Sequence, residues 1–235
     1  MHSARPLAAL TALALLTGAA KMDADNPTCP AEPDWGANTA MTLTPVDKGG
    51  KRVLLAEGRV DPSLPSRLKA AIEADDKIEE IWLRSRGGDA RAGNEAGKVI
   101  RSYRGMLTRI PSGWACFSAC NFVFMGGDRR VVDEGGVFMV HMFTHTQDRA
   151  LIDEVVIEGS KATTELIGSI EQSSALLASE DNDFLIRMGI SRKLLTDVMY
   201  RQQAVKSAEN PSTRYCLSQA EVREYNVMPL EKPAQ

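Results

Sequence analysis

Apolar and polar positions along this chain switch repeatedly between a strand-like and a helix-like period. Residues 52–60 (RVLLAEGRV) have strand composition. Asp61-Pro62-Ser63 then reads as a helix start, with Leu64, Leu68, Ala71 and Ile72 recurring at helical spacing. Residues 78–85 form the next predicted strand and run into Arg86-Gly87-Gly88-Asp89. Ala96, Val99 and Ile100 mark a helix over 92–103, and 106–110 is a short strand. A short, very apolar helix is predicted over 118–125, followed by strands at 130–132 and 137–141. Strands alternating with helices argue for an α/β fold.

After residue 141 the pattern changes. From 151 to 188 it is long and mostly helical, with Val155, Leu166, Ile170, Leu176 and Leu177 as apolar points. Met188-Gly189-Ile190-Ser191 reads as a helix stop and a new cap, with another helix over 191–201. Residues 206–213 are polar and contain Pro211, which predicts a loop. Tyr215-Cys216-Leu217-Ser218 then leads into a helix over 219–225.

The beginning of the sequence reads differently again. Arg5 is the only Lys or Arg of the first twenty residues, and an apolar, small-residue stretch ends in Thr17-Gly18-Ala19-Ala20. This predicts a secretory signal peptide over 1–20, cut near Ala20. The stretch falls short of the roughly 20 residues a membrane span needs. No Cys follows the cut to carry a lipid anchor. Residues 21–40, rich in Asp, Asn, Pro and Ala, are expected to form a linker or N-terminal arm pinned by Cys29. Residues 41–235 make one domain, of ordinary size at about 200 residues.

Export gives the cysteines their meaning. The four, Cys29, Cys116, Cys120 and Cys216, all follow the leader, and an even count in an oxidising compartment favours disulfides. Cys29–Cys216 with Cys116–Cys120 is one of three pairings. No His stands at ligand spacing from any of them, so no metal site is expected. The formal charge is −3, or −4 once Arg5 leaves with the leader, which gives no reason to expect nucleic acid.

Three features carry candidate chemistry. Ser118 lies between small residues at a predicted helix start, where free N–H groups and partial positive charge meet its hydroxyl. Most serines in such places are simply caps. His141 ends a predicted strand, and with His2 in the leader only His141 and His145 remain as imidazole bases; His145 is expected on the surface. Gly87-Gly88 permits a tight turn that aims an N–H at a developing oxyanion. Nucleophile, base and oxyanion donors are the parts of an acyl-transfer site.

The ordered set resembles the proteolytic subunit of Clp proteases, most of all exported Clp-like proteins of bacteria within the Clp/crotonase superfamily. Ser85-Arg86-Gly87-Gly88 resembles that family's oxyanion turn, and Cys116-Phe117-Ser118-Ala119-Cys120 its nucleophile segment. Gly126-Gly127-Asp128-Arg129-Arg130, Met139-Val140-His141 and Cys216-Leu217-Ser218-Gln219-Ala220-Glu221 resemble later landmarks, and Ser118 precedes His141 by a family-like 23 residues. The likeness covers about residues 51–228. It implies an α/β spiral of ββα units with a long helical segment after the catalytic-type His. It further implies Ser118 as nucleophile, His141 as base, and Gly88 and Ala119 N–H groups as the oxyanion hole.

The departures are specific. Arg86 replaces a proline, and Met142-Phe143 replaces Gln-Pro after the His. The family's third catalytic residue is an Asp, but residues 209–215 read ENPSTRY, leaving Asn210 or Glu209 to orient the imidazole, with Asp183 and Asp197 as substitutes. The Clp subunit works beneath an ATP-driven unfoldase. This chain has no G-x-x-x-x-G-K-[ST] loop and an exported protein has no ATP supply, so no ATPase partner is expected.

The expected function is therefore a periplasmic or secreted serine peptidase that needs no cofactor and acts on peptides or unfolded segments. A homo-oligomer is plausible, because the segment 151–188 matches the family's ring-to-ring contacts. The alternative is a weakly active or inactive Clp-like binding or scaffold protein of the cell envelope, which the missing Asp favours. A crotonase-like acyl-CoA enzyme conflicts with export. A thiol enzyme using Cys116 or Cys120 would require free thiols.

Overall fold

The computed structural model describes residues 21–144, 146 and 148–229. The expected leader, residues 1–20, and His145 lie outside the described residues. The fold is mixed α/β. Its first half runs β1 (Thr42–Lys48), β2 (Lys51–Glu57), α1 (Leu64–Ala74), β3 (Ile78–Arg84), α2 (Ala90–Ser102) and β4 (Leu107–Ile110). There follow β5 (Ala115–Phe117), α3 (Ala119–Met125), β6 (Arg129–Val132) and β7 (Val137–Val140). Helices α4 (Arg149–Glu158), α5 (Ser160–Met188) and α6 (Lys193–Arg201) precede β8 (Tyr215–Cys216) and α7 (Gln219–Glu224).

Two sheets organise the chain. The larger has the order β1-β2-β3-β4-β6, in which β2, β3, β4 and β6 are parallel and β1 is an antiparallel edge. Pro45, which cannot donate to a ladder, is tolerated because β1 is that edge. The smaller sheet is β5-β7-β8. Its strand β5 lies parallel beside the residue that follows β3: Ser85 N–H donates to Ala115 O and Phe117 N–H to Ser85 O, each at 2.9 Å. Ser118 thus follows directly from where the two sheets meet.

Leu64, Leu68 and Ile72 of α1 are buried, as their spacing predicts. They share one core with Leu54, Ile81, Leu83, Ile100, Phe124 and Phe138. Helix α2 lies against α3 at unusually short range. A Cβ on Gly93 would stand 2.5 Å from Ala119 O, and one on Gly97 2.4 Å from Phe122 O. Only glycine allows those backbones to approach so closely.

Some boundaries differ from the sequence pattern. The predicted strand over 52–60 ends at Glu57, because Gly58, at φ 115°, turns the chain. The helical stretch after 151 divides at Gly159, at φ 104°, into α4 and α5. Gly189 in the left-handed region stops α5, as the sequence predicts, and Ser218 with Glu221 forms a capping box on α7.

Residues 21–40 are more firmly held than a linker. Cys29 is fully buried and disulfide-bonded to Cys216, and Cys116 is bonded to Cys120. Of the three pairings, this is the one formed; no cysteine is free, which removes the thiol-enzyme reading. Asn26 is buried, and its Oδ1 accepts from the N–H groups of Thr213 and Arg214. The Arg214 guanidinium holds the Asp23 carboxyl down at about 2.

Candidate active site

Ser118 occupies the turn between β5 and α3, with φ 58° and ψ −125°. Apart from Ser118, only Asn226 among the described non-glycine residues has positive φ. Such a conformation costs on the order of 1–3 kcal/mol and persists only where the surroundings enforce it. Here they do. The Cys116–Cys120 disulfide spans the turn, joining the strand before Ser118 to the first turn of the helix after it. Asn121 N–H donates to Ser118 O at 2.9 Å, and the buried Asn121 Nδ2 donates to Met139 O at 2.7 Å. That second bond ties the helix carrying Ser118 to the strand leading to His141.

His141 follows β7 directly. Its Nε2 lies 2.6 Å from Ser118 Oγ. Burial pushes the imidazole pKa down, and a hydrogen bond with the Met142 backbone works the other way. A ring bonded to backbone at Nδ1 presents Nε2 as an acceptor, so the serine hydroxyl donates to it. The Phe117 ring packs on the imidazole with centroids 4.7 Å apart, and Trp35 of the arm stacks on Phe117 at 6.0 Å.

The Gly87-Gly88 turn abuts the serine. A Cβ on Gly87 would meet Phe117 O at 2.5 Å, Ser118 Cβ at 2.7 Å and Ala119 N at 2.9 Å. Gly87 N–H is taken by the buried Ser85 Oγ at 3.0 Å, and Gly87 O accepts from Val60 N–H. Asp89 N–H donates to Val60 O and its side chain caps α2. Of the two glycines, Gly88 is the one whose N–H has no acceptor among the described residues. Ala119 N–H is likewise free at the start of α3, where no intrahelical acceptor exists.

A cavity of about 310 Å³ opens beside this pair. Ser118 and His141 are part of its lining; apolar walls come from α3, α5 and α6, among them Phe122, Leu177 and Val198. Low-polarity walls are what keep the imidazole neutral.

Ser118, His141, Ala119 and the glycine turn are therefore brought together. Asn210 is not. It is exposed, and its backbone exchanges hydrogen bonds with Ser207 in a surface turn. No hydrogen bond joins it to His141 among the described residues. The structure does not bring Asn210, the expected third member, to the imidazole; beside Ser118 the ring's other polar neighbour is the Met142 backbone. Glu209 and Asp183 are exposed, and Asp197 accepts the Tyr225 hydroxyl at 2.7 Å. Sequence reasoning missed Phe117 and Asn121. Asn121 did carry a signal, as the one polar residue inside Ala119–Met125.

No family model matches this sequence, and no curated protein does. Among solved structures, one similar chain is a ClpP1 mutant from Listeria monocytogenes. It is 12% identical, with a TM-score of 0.49, over 75% of this chain and 88% of that one.

Proposed function

We propose that this chain is an exported serine hydrolase, a peptidase that acts without ATP on peptides or unfolded segments. The observation that carries the reading is the 2.6 Å contact between Ser118 Oγ and His141 Nε2 at a strained helix start. In the proposed reaction neutral His141 takes the Ser118 proton as Oγ attacks the substrate carbonyl carbon. The Gly88 and Ala119 N–H groups hold the resulting oxyanion. The imidazolium then protonates the leaving amine, and an acyl-enzyme remains. A water, deprotonated by the same imidazole, hydrolyses the ester and restores Ser118.

The Clp/crotonase arrangement proposed for residues 41–235 rests on the ordered motifs, with residues 1–20 as leader and 21–40 as an arm. Two disulfides agree with a periplasmic or secreted location. Among the described residues no helix is long and apolar enough to cross a membrane. Val156 and Ile157 on α4, with Ile167, Leu176 and Ile186 on α5, are exposed and would suit a homo-oligomeric contact.

The test is labelling of the mature protein with a fluorophosphonate probe, beside Ser118→Ala. Labelling that disappears in the variant is the expected result. A folded wild-type protein that takes no label would overturn the proposal. It would favour the second reading, a binding protein with a relict site. That reading draws on one observation: the imidazole leans on a backbone group where a triad has a carboxylate.

A further inference from the structure

The cavity beside Ser118 has apolar walls with a single acid set into them. Helix α5 turns Ser174, Leu177, Ala178 and Asp181 toward it, one face at the spacing i, i+3, i+4, i+7. Asp181 is the only carboxyl among the described lining residues. Its Oδ1 is buried and closes no hydrogen bond. Asn94 of α2 adjoins it, is 4% exposed, and has both amide atoms without a partner.

The Asn94 amide lies close enough to act on the carboxyl, yet neither it nor Asp181 Oδ1 closes a well-aligned hydrogen bond. A half-buried acid so placed is poised for something that enters the cavity, because unmatched polar atoms are expensive inside a protein. The neighbouring charges do not satisfy it. Glu180 has the same sign and faces Arg91 of α2, at 3.6 Å. His141 is held toward its neutral form by burial. The residues that α6 contributes to the lining, Leu194, Leu195, Val198 and Met199, carry no charge. Burial pushes the Asp181 carboxyl up to about 7; the Asn94 amide opposes this and Glu180 adds to it.

The geometry points to Asp181 as a specificity-determining residue, receiving the cationic tip of a lysine- or arginine-type side chain whose apolar stem fills the cavity. This rests on the reading of Ser118 and His141 as a hydrolytic pair, and it places that side chain on the acyl side of the cleaved bond. The methylene stem suits the walls. An ammonium brings three N–H donors and a guanidinium five, enough to engage the Asp181 carboxylate. As the cation seats, the carboxylic acid releases its proton to solvent and the pair becomes an ion pair in a low-polarity site. A wholly apolar side chain would cover Asp181 without matching it, which is the kind of loss that discriminates strongly between substrates.

The experiment compares fluorogenic peptides that differ only in lysine, arginine or norleucine before the scissile bond. Wild type is expected to show at least about tenfold higher kcat/KM for lysine or arginine than for norleucine, and Asp181→Leu to reverse that order. Should the leucine variant fail to fold, the near-isosteric Asp181→Asn is expected to abolish the preference. A wild-type preference for norleucine would overturn the proposal. A separate readout avoids turnover: binding of product-like peptides ending in lysine or norleucine to Ser118→Ala, followed by fluorescence anisotropy. Tighter binding of the lysine peptide supports the subsite, and equal binding overturns it. Lysine-selective binding in a protein whose wild type takes no fluorophosphonate label would sink the hydrolytic reading and leave the cation subsite standing.

Discussion

Ser118 contacts an imidazole that burial holds toward its neutral form, and under the proposed reading of His141 as base this has a consequence for pH. The neutral imidazole is the form that accepts the serine proton. Burial lowers the His141 pKa below its ordinary 6.5, so the ring stays neutral to lower pH than a free histidine. Activity should therefore persist as pH falls through 6.5 and fail only below it. The kcat/KM profile on an uncharged peptide measures this. Asp181→Asn provides the needed background, because Asp181 titrates at about 7 in the same cavity. An acid limb above 6.5 in that variant would contradict the expected direction. Ser118 and His141 were legible in the sequence because a serine among small residues and a histidine ending an apolar strand leave local traces. Phe117 against His141 was not, because the chance that two rings meet depends on how β5 lies beside β7.

At the scale of elements, the position of α3 decides whether Ser118 reaches His141. That position is set by Gly93 and Gly97, which let α2 approach within backbone contact. Gly93→Ala would place a methyl 2.5 Å from Ala119 O, an acceptor in the very turn that presents the serine. We expect it to destabilise the fold by about 1–3 kcal/mol and to slow fluorophosphonate labelling. Urea denaturation and labelling rate measure the two effects; unchanged stability would show that the helices separate freely. The longer helices and central strands were legible from periodicity. Strands β5 and β8, of three and two residues, were not, since so few positions carry no period. They exist because β7 supplies a partner on each side.

Over the whole molecule, the arm, β8 and β7 form one connected path to His141. Cys29 holds Cys216, β8 pairs with β7, and His141 follows β7 at once. The closed loop is long, with a sequence separation of 187 residues, so the bond removes much freedom from the unfolded chain. Replacing Cys29 and Cys216 together by Ser should lower stability by roughly 2–5 kcal/mol. Thermal or denaturant unfolding of the oxidised proteins checks this, and an unchanged midpoint would mean that the arm contributes little. The arm's composition suggested a loose segment. Its buried Asn26 and Cys29 show how side-chain partners far along the chain override composition.

The amino-acid sequence by itself determined the alternation of strands and helices, the glycine turn, the serine at a helix start and the histidine ending a strand. Each is written in neighbouring residues, through spacing, caps and the conformations glycine allows. Tertiary structure alone decided which cysteines pair and which group holds the imidazole. It decided too that Asn210 stays on the surface and that Asp181 enters the cavity beside Ser118. The Cys29–Cys216 bond and the entry of Asp181 into the cavity join residues tens of positions apart, and packing sets such distances where local preference has no reach.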